Sequence, residues 1–140
     1  MAMNKKLNAQ IVGNIGLYYA CYQLSLRGWN VMPTARNARG VDVVAYNLSG
    51  TRFIGLQIKA LSKRNPVPLG TSLDRFMGDY WIIINRASTK PMTFIMLPDE
   101  VRGLAHRSEK NGKASFWLQP KSYDCDDFRN AWHKLPEAHD

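Results

Sequence analysis

Residues 41–61 constrain the fold more than any other stretch, because they describe a β-hairpin with one apolar face and one face that carries chemistry. Residues 41–46 are β-branched and aromatic, Asn47-Leu48-Ser49-Gly50 is turn chemistry, and residues 51–61 form a second strand-like run. Side chains alternate across a sheet, so Ile54, Leu56, Ile58 and Ala60 share one face while Gly55, Gln57 and Lys59 share the other. The first face is uniformly apolar and has to be covered, with a helix as the expected cover. A turn of two or four residues pairs Tyr46 with Thr51 and sets Asp42 opposite Gly55, which directs Asp42 to the side of Gln57 and Lys59. In that register Asp42 and Gln57 are diagonal neighbours, about 7–8 Å apart between backbones and within reach of a shared ion. Gly55 is expected to leave space beneath them.

Asp42 is also the single acid of the first 64 residues, set against Lys5, Lys6, Arg27, Arg36, Arg39, Arg52, Lys59, Lys63 and Arg64. That balance of +8 equals the formal charge of all 140 residues, so the rest of the chain sums to zero. Such segregation builds a positive potential that attracts polyanions, mainly by releasing counterions from phosphates. Nucleic acid is the expected partner. Taken alone, Asp42 reads as a surface acid pairing with Arg36, Arg39 or Lys59, and Lys59 as an edge lysine with its stem on apolar surface. Asp is depleted inside strands, however, and it is the joint placement of Asp42, Gln57 and Lys59 on one face that favours phosphodiester chemistry.

The length and the 45% apolar content suit a single domain, residues 1–140, with a proper core. No apolar run follows the basic opening residues, so neither a secretory signal nor a membrane anchor is expected, and the reading is a soluble cytoplasmic protein. Cys21 and Cys125 match no metal spacing and read as reduced, small apolar fillers; His106, His133 and His139 form no ligand pattern. Residues 8–27 predict an amphipathic helix whose apolar stripe is Ile11, Ile15, Tyr18, Tyr22 and Leu26, stopped at Gly28. Gly13 and Gly16 inside it each cost about 1 kcal/mol relative to Ala, which implies a close backbone neighbour. Further strands are expected at residues 29–32, 80–84, 93–97 and 114–118, a basic surface loop at 62–72, and a helical turn at 72–77. A helix opens at Pro98-Asp99-Glu100. A C-terminal helix is expected from Asp124, Asp126 and Asp127, with Phe128, Ala131, Trp132 and Leu135 as its core stripe. This order indicates an α/β domain with a mixed sheet.

Over roughly residues 8–85, Asp42, Gln57-Ile58-Lys59 and the helix ahead of them resemble the PD-(D/E)xK, or restriction-endonuclease-like, superfamily, especially its Mrr-like and Holliday-junction-resolvase-like branches. Gly40-Val41-Asp42-Val43-Val44-Ala45 and Gly55-Leu56-Gln57-Ile58-Lys59 look like the second and third strands of its αβββαβ core. The resemblance implies that Asp42, the Gln57 side-chain oxygen and the Ile58 carbonyl hold Mg²⁺ (or Mn²⁺), and that Lys59 orients or activates the attacking water. Arg36, Arg39, Lys63 and Arg64, near the ends of those strands, are the expected phosphate contacts. Two departures stand out: Gln57 occupies a position where many relatives have Glu, and the first helix offers Gln10 or Asn14 where relatives commonly have an acid. Such a site binds Mg²⁺ weakly until nucleic acid supplies phosphate oxygens. The function expected is a Mg²⁺-dependent endonuclease, with DNA favoured over RNA by the resemblance alone. The alternative is a catalytically silent module of the same fold that binds DNA or blocks a nucleic-acid-handling complex. A homodimer would suit cleavage of two strands.

Overall fold

The structure, a computed structural model, describes residues 6–35 and 40–139, so the expectations for Arg36 and Arg39 lie outside the described residues. The chain begins with helix α1 (Ala9–Leu26), opened by Asn8, whose side chain accepts a hydrogen bond of 2.9 Å from the Ile11 N–H. It stops where the sequence says it should: Gly28 takes φ +92°, and the N–H groups of Gly28 and Trp29 donate back to the carbonyls of Ser25 and Leu24.

Strands β1 (Asn30–Pro33), β2 (Val43–Tyr46), β3 (Phe53–Ala60), β5 (Tyr80–Asn85) and β6 (Met92–Met96) form a five-stranded sheet in the order β1-β2-β3-β5-β6. The β3–β5 pair is parallel and the other three pairs are antiparallel, which makes the sheet mixed as expected. Strands β4 (Val67–Gly70), β7 (His106–Lys110) and β8 (Lys113–Leu118) form a second, smaller sheet in the order β4-β8-β7. Helices α2 (Pro98–Leu104) and α3 (Pro120–Tyr123) and a 3-10 turn at Trp132–Lys134 complete the described elements.

The molecule is built in three layers. Helix α1 packs Val12, Ala20 and Leu24 on the Ile54, Leu56, Ile58 and Ala60 face of β3, the cover that this apolar face demanded. On the opposite face Trp81, Ile83 and Phe94 meet Val67, Leu69 and Leu118 of the small sheet. Gly16 sits where α1 crosses β3, and a Cβ there would collide with the Ala60 Cβ, so one of the two helix glycines has the close neighbour expected. The other, Gly13, faces open space.

Four expectations are corrected. Of the expected stripe, Ile11, Tyr18, Tyr22 and Leu26 are exposed and Ile15 is half-buried against the core, because α1 turns Val12, Gly16, Ala20 and Leu24 to the sheet. The hairpin register is two residues off: Tyr46 pairs with Phe53 and Val44 with Gly55. The cause is Asn47, whose buried side chain accepts from the N–H groups of Thr51 and Arg52 while its own N–H donates to the Arg52 carbonyl. Asn47 thus joins the paired ladder and moves the turn to residues 48–51. Residues 72–77, expected as a helical turn, are bends and turns, and the connection from β3 to its parallel neighbour β5 runs through β4 without a helix. Finally, no helix starts at Asp124. Residues 128–130 instead pair their backbone with β6, through Phe128 O to Ile95 N and Asn130 N to Thr93 O, and Asn130 takes φ +51°. Phe128, Ala131 and Leu135 are buried nonetheless.

Candidate active site

Asp42 precedes β2 by one residue, and its placement is fixed from both sides. Its N–H donates to the Leu56 carbonyl (2.8 Å), and its carbonyl accepts from the Thr34 N–H (2.9 Å). Thr34 Oγ1 adds a bond of 2.6 Å to the Val41 carbonyl. Asp42 lies one residue before the paired stretch of β2 and β3, which begins at Val43 opposite Leu56, and from there its side chain reaches Gln57. A slip of two residues preserves the face, which is why Asp42 still meets Gln57.

The contact itself is made by one carboxylate oxygen. Asp42 Oδ2 accepts from Gln57 Nε2 at 3.1 Å and from the Ile58 N–H at 2.7 Å, leaving Oδ1 with no hydrogen bond to a described residue. Every second residue of a strand turns its N–H and C=O to the same neighbour, so the Ile58 carbonyl lies on the edge where Asp42 sits, past the first residue of β2. Lys59, next on this face, is half-buried, with Nζ 5.6 Å from the centre of the Trp81 ring. Burial pushes the Lys59 ammonium below its ordinary value of 10.5, and the Asp42 charge partly opposes that shift.

Three glycines hold this corner together. Gly78 takes φ +85°, and a Cβ on it would come within 3.3 Å of the carbonyls of both Gly40 and Gly55. Gly55 does not leave open space as expected: a side chain there would meet Val41 at 3.3 Å and the Gly78 backbone at 3.7 Å. Asp79, which sequence reasoning passed over, locks the same corner, accepting from the Gly55 N–H at 2.8 Å and donating its own N–H to the Gly55 carbonyl at 2.7 Å. The available signal was Gly78-Asp79 immediately ahead of a buried apolar run, which is turn chemistry at the mouth of a strand.

The remaining candidates separate. Lys63 is exposed and makes no ion pair to a described residue, but Arg64 is committed to Asp124, with Nε 2.7 Å from Oδ2. Asp124 also binds Arg129 at 2.7 Å; hydrogen bonds from Arg129 and then Arg64 hold its carboxyl below the ordinary range. Gln10 and Asn14 are exposed on α1 and hydrogen-bond to none of Asp42, Gln57 and Lys59.

The oxygens that could serve a hard divalent cation here are the Asp42 carboxylate, the Gln57 side-chain oxygen and the Ile58 carbonyl. Gln57 Nε2 donates to Asp42 Oδ2 at 3.1 Å. Rotating the Gln57 amide by half a turn would exchange nitrogen for oxygen at that distance. Among the described residues no three His, Cys, Asp or Glu side chains cluster, so this would be a one-anion site with amide and carbonyl support.

No known protein family and no curated protein matches this sequence. Among solved structures the fold is similar to that of the bacterial homing endonuclease I-Ssp6803I, with a TM-score of 0.62 and 17% identity over 91% of this chain and 93% of that one. The likeness is one of fold: this chain has the α/β architecture of an endonuclease.

Proposed function

We propose that the protein is a Mg²⁺-dependent endonuclease of the PD-(D/E)xK type that hydrolyses phosphodiester bonds in DNA. The observation that carries the reading is Asp42 Oδ2 bridging the Gln57 amide and the Ile58 N–H, one strand position from a half-buried lysine whose ammonium is weakened. Asp42, the Gln57 side-chain oxygen and the Ile58 carbonyl would hold the ion. When bound, a divalent cation polarises the phosphoryl oxygen and makes its water a better nucleophile. Lys59 supplies the proton chemistry: as ammonium it offsets charge developing on the phosphoryl oxygens, and as neutral amine it takes a proton from the attacking water. The Asp42 charge opposes part of the shift that burial imposes on Lys59, whose Nζ lies over the Trp81 ring. Lys63, exposed past the end of β3, would contact phosphate, and cutting both strands of a duplex calls for two copies of the site, hence a homodimer.

The catalytically silent alternative also draws on a specific feature. The Gln57 amide presents nitrogen, not oxygen, to the lone carboxylate, and that oxygen already accepts two hydrogen bonds. Supercoiled plasmid incubated with Mg²⁺, with chelator, and with the Asp42→Asn and Lys59→Ala variants separates the two readings. The nuclease reading expects nicked and linear product from the wild type with Mg²⁺ alone, a loss of about 10²-fold or more in either variant, and retained gel-shift affinity. Equal backgrounds in every lane, with binding intact, would leave the silent module.

A further inference from the structure

Helix α1 exposes on its outer side the large side chains that an isolated helix of this kind would bury. Leu7, just ahead of the helix, is 39% exposed, and on the helix Ile11 is 41%, Tyr18 66%, Tyr22 59% and Leu26 63% exposed, while the buried Val12, Gly16, Ala20 and Leu24 line the opposite side. We propose that this outer stripe is a self-association surface on which α1 of a second copy of the chain packs, forming a two-fold dimer.

The spacing specifies a helix as the occupant. Ile11, Tyr18 and Tyr22 recur at intervals of 7 and 4 residues, positions along which two helices interlock side chains, and Leu26 extends the stripe by one more turn. The charge specifies which helix. All 18 residues of α1 are uncharged in a chain that carries +8, so this is a face two copies can share without bringing their charges together. Two such helices running antiparallel would bring Tyr18 against Tyr18 near the axis and Leu26 of one copy toward Ile11 of the other. A fully exposed side chain of this size presents roughly 200 Å², and the five exposed fractions therefore amount to on the order of 500 Å². That equals the apolar share of a standard interface, about 800 Å² per partner, and is large for a patch left bare on a monomer. The inference does not depend on catalysis, since it follows from α1 alone.

Sedimentation equilibrium of the full chain at about 50 µM, a concentration suited to micromolar association, tests it. The wild type is expected near 32 kDa, twice 15.9 kDa, and the Tyr18→Glu/Tyr22→Glu variant near the single-chain mass with an unchanged circular-dichroism spectrum. Raising salt from about 0.05 to 0.5 M should leave the dimer intact or tighten it, opposite to binding driven by phosphate contacts. Should the double variant fail to fold, Tyr18→Cys supplies the second test, with an intermolecular disulfide expected at high yield under mild oxidation and none from Met77→Cys. A monomeric wild type, a Tyr18→Glu/Tyr22→Glu variant that folds and still dimerises, or a wild-type monomer that binds neutral lipid vesicles through Tyr18 would overturn the proposal.

Discussion

Lys59 is where a single residue links sheet geometry to chemistry. It follows Ile58 on a strand whose other neighbour carries Trp81, so its stem is enclosed and its ammonium loses solvation, with Asp42 restoring part of the loss. Its folded pKa therefore lies below 10.5, and between that value and 10.5 the unfolded chain binds more protons than the folded one. Stability consequently rises with pH across this window, and the destabilising contribution of a charged Lys59 is fully present below it. Lys59→Met is expected to melt at a higher temperature at neutral pH and to show a flatter stability-versus-pH curve, as measured by denaturant titration at several pH values. Asp42→Asn should lower the Lys59 midpoint further, a shift that a ¹³C-labelled lysine titration reads directly. Identical Lys59 midpoints in wild type and Asp42→Asn would break the proposed coupling. That Asp42 faces Gln57 was legible in the sequence because alternation depends only on parity, so a register error of two cannot reverse it. Asp79 was legible only as turn chemistry beside Gly78, since nothing in local sequence reveals which strand becomes the parallel neighbour of β3.

At the scale of elements, α1 shows how a helix can be located from sequence while its faces are exchanged. Reading by bulk selects Ile11, Tyr18, Tyr22 and Leu26 as the core side, yet close packing on β3 requires small residues, and Gly16 against Ala60 marks the true contact. Gly16→Val should therefore destabilise by about 2–3 kcal/mol, because even a Cβ at this position collides with the Ala60 Cβ. Gly13→Ala should stabilise by about 0.5–1 kcal/mol, since nothing lies within 4 Å of the added methyl. Thermal or denaturant melts of the pair check both signs, and a Gly16→Val protein as stable as the wild type would contradict the packing described. Strand β7 escaped detection for a different reason: His106, Arg107, Glu109 and Lys110 are exposed, so this edge strand has no apolar alternation to read. Its partner β8 was visible because Phe116, Trp117 and Leu118 give it an apolar end. The C-terminal segment misled in the opposite sense. Its apolar spacing reports burial correctly, but the free edge of β6 captures the backbone of Phe128 and Asn130 before a helix can form.

For the whole molecule, the candidate residues gather at the corner of the main sheet where β2 begins, β3 passes its end, and Gly40, Gly55 and Gly78 pack closely. The surplus positive charge of the sequence lies in residues 1–64, which also hold Asp42, so a field that would gather a polyanion and the carboxylate that would hold a cation belong to the same part of the sequence. A site with one anion, one amide and one carbonyl is incomplete by itself, and the reading offered here is that substrate phosphate completes it. Mn²⁺ binding to the full protein, followed by electron paramagnetic resonance with and without a non-cleavable phosphorothioate duplex, tests that most directly. The account predicts weak uptake by the free protein, at least about tenfold tighter uptake with the duplex present, and loss of both in Asp42→Asn; equal Mn²⁺ uptake by wild type and Asp42→Asn on the duplex would contradict it.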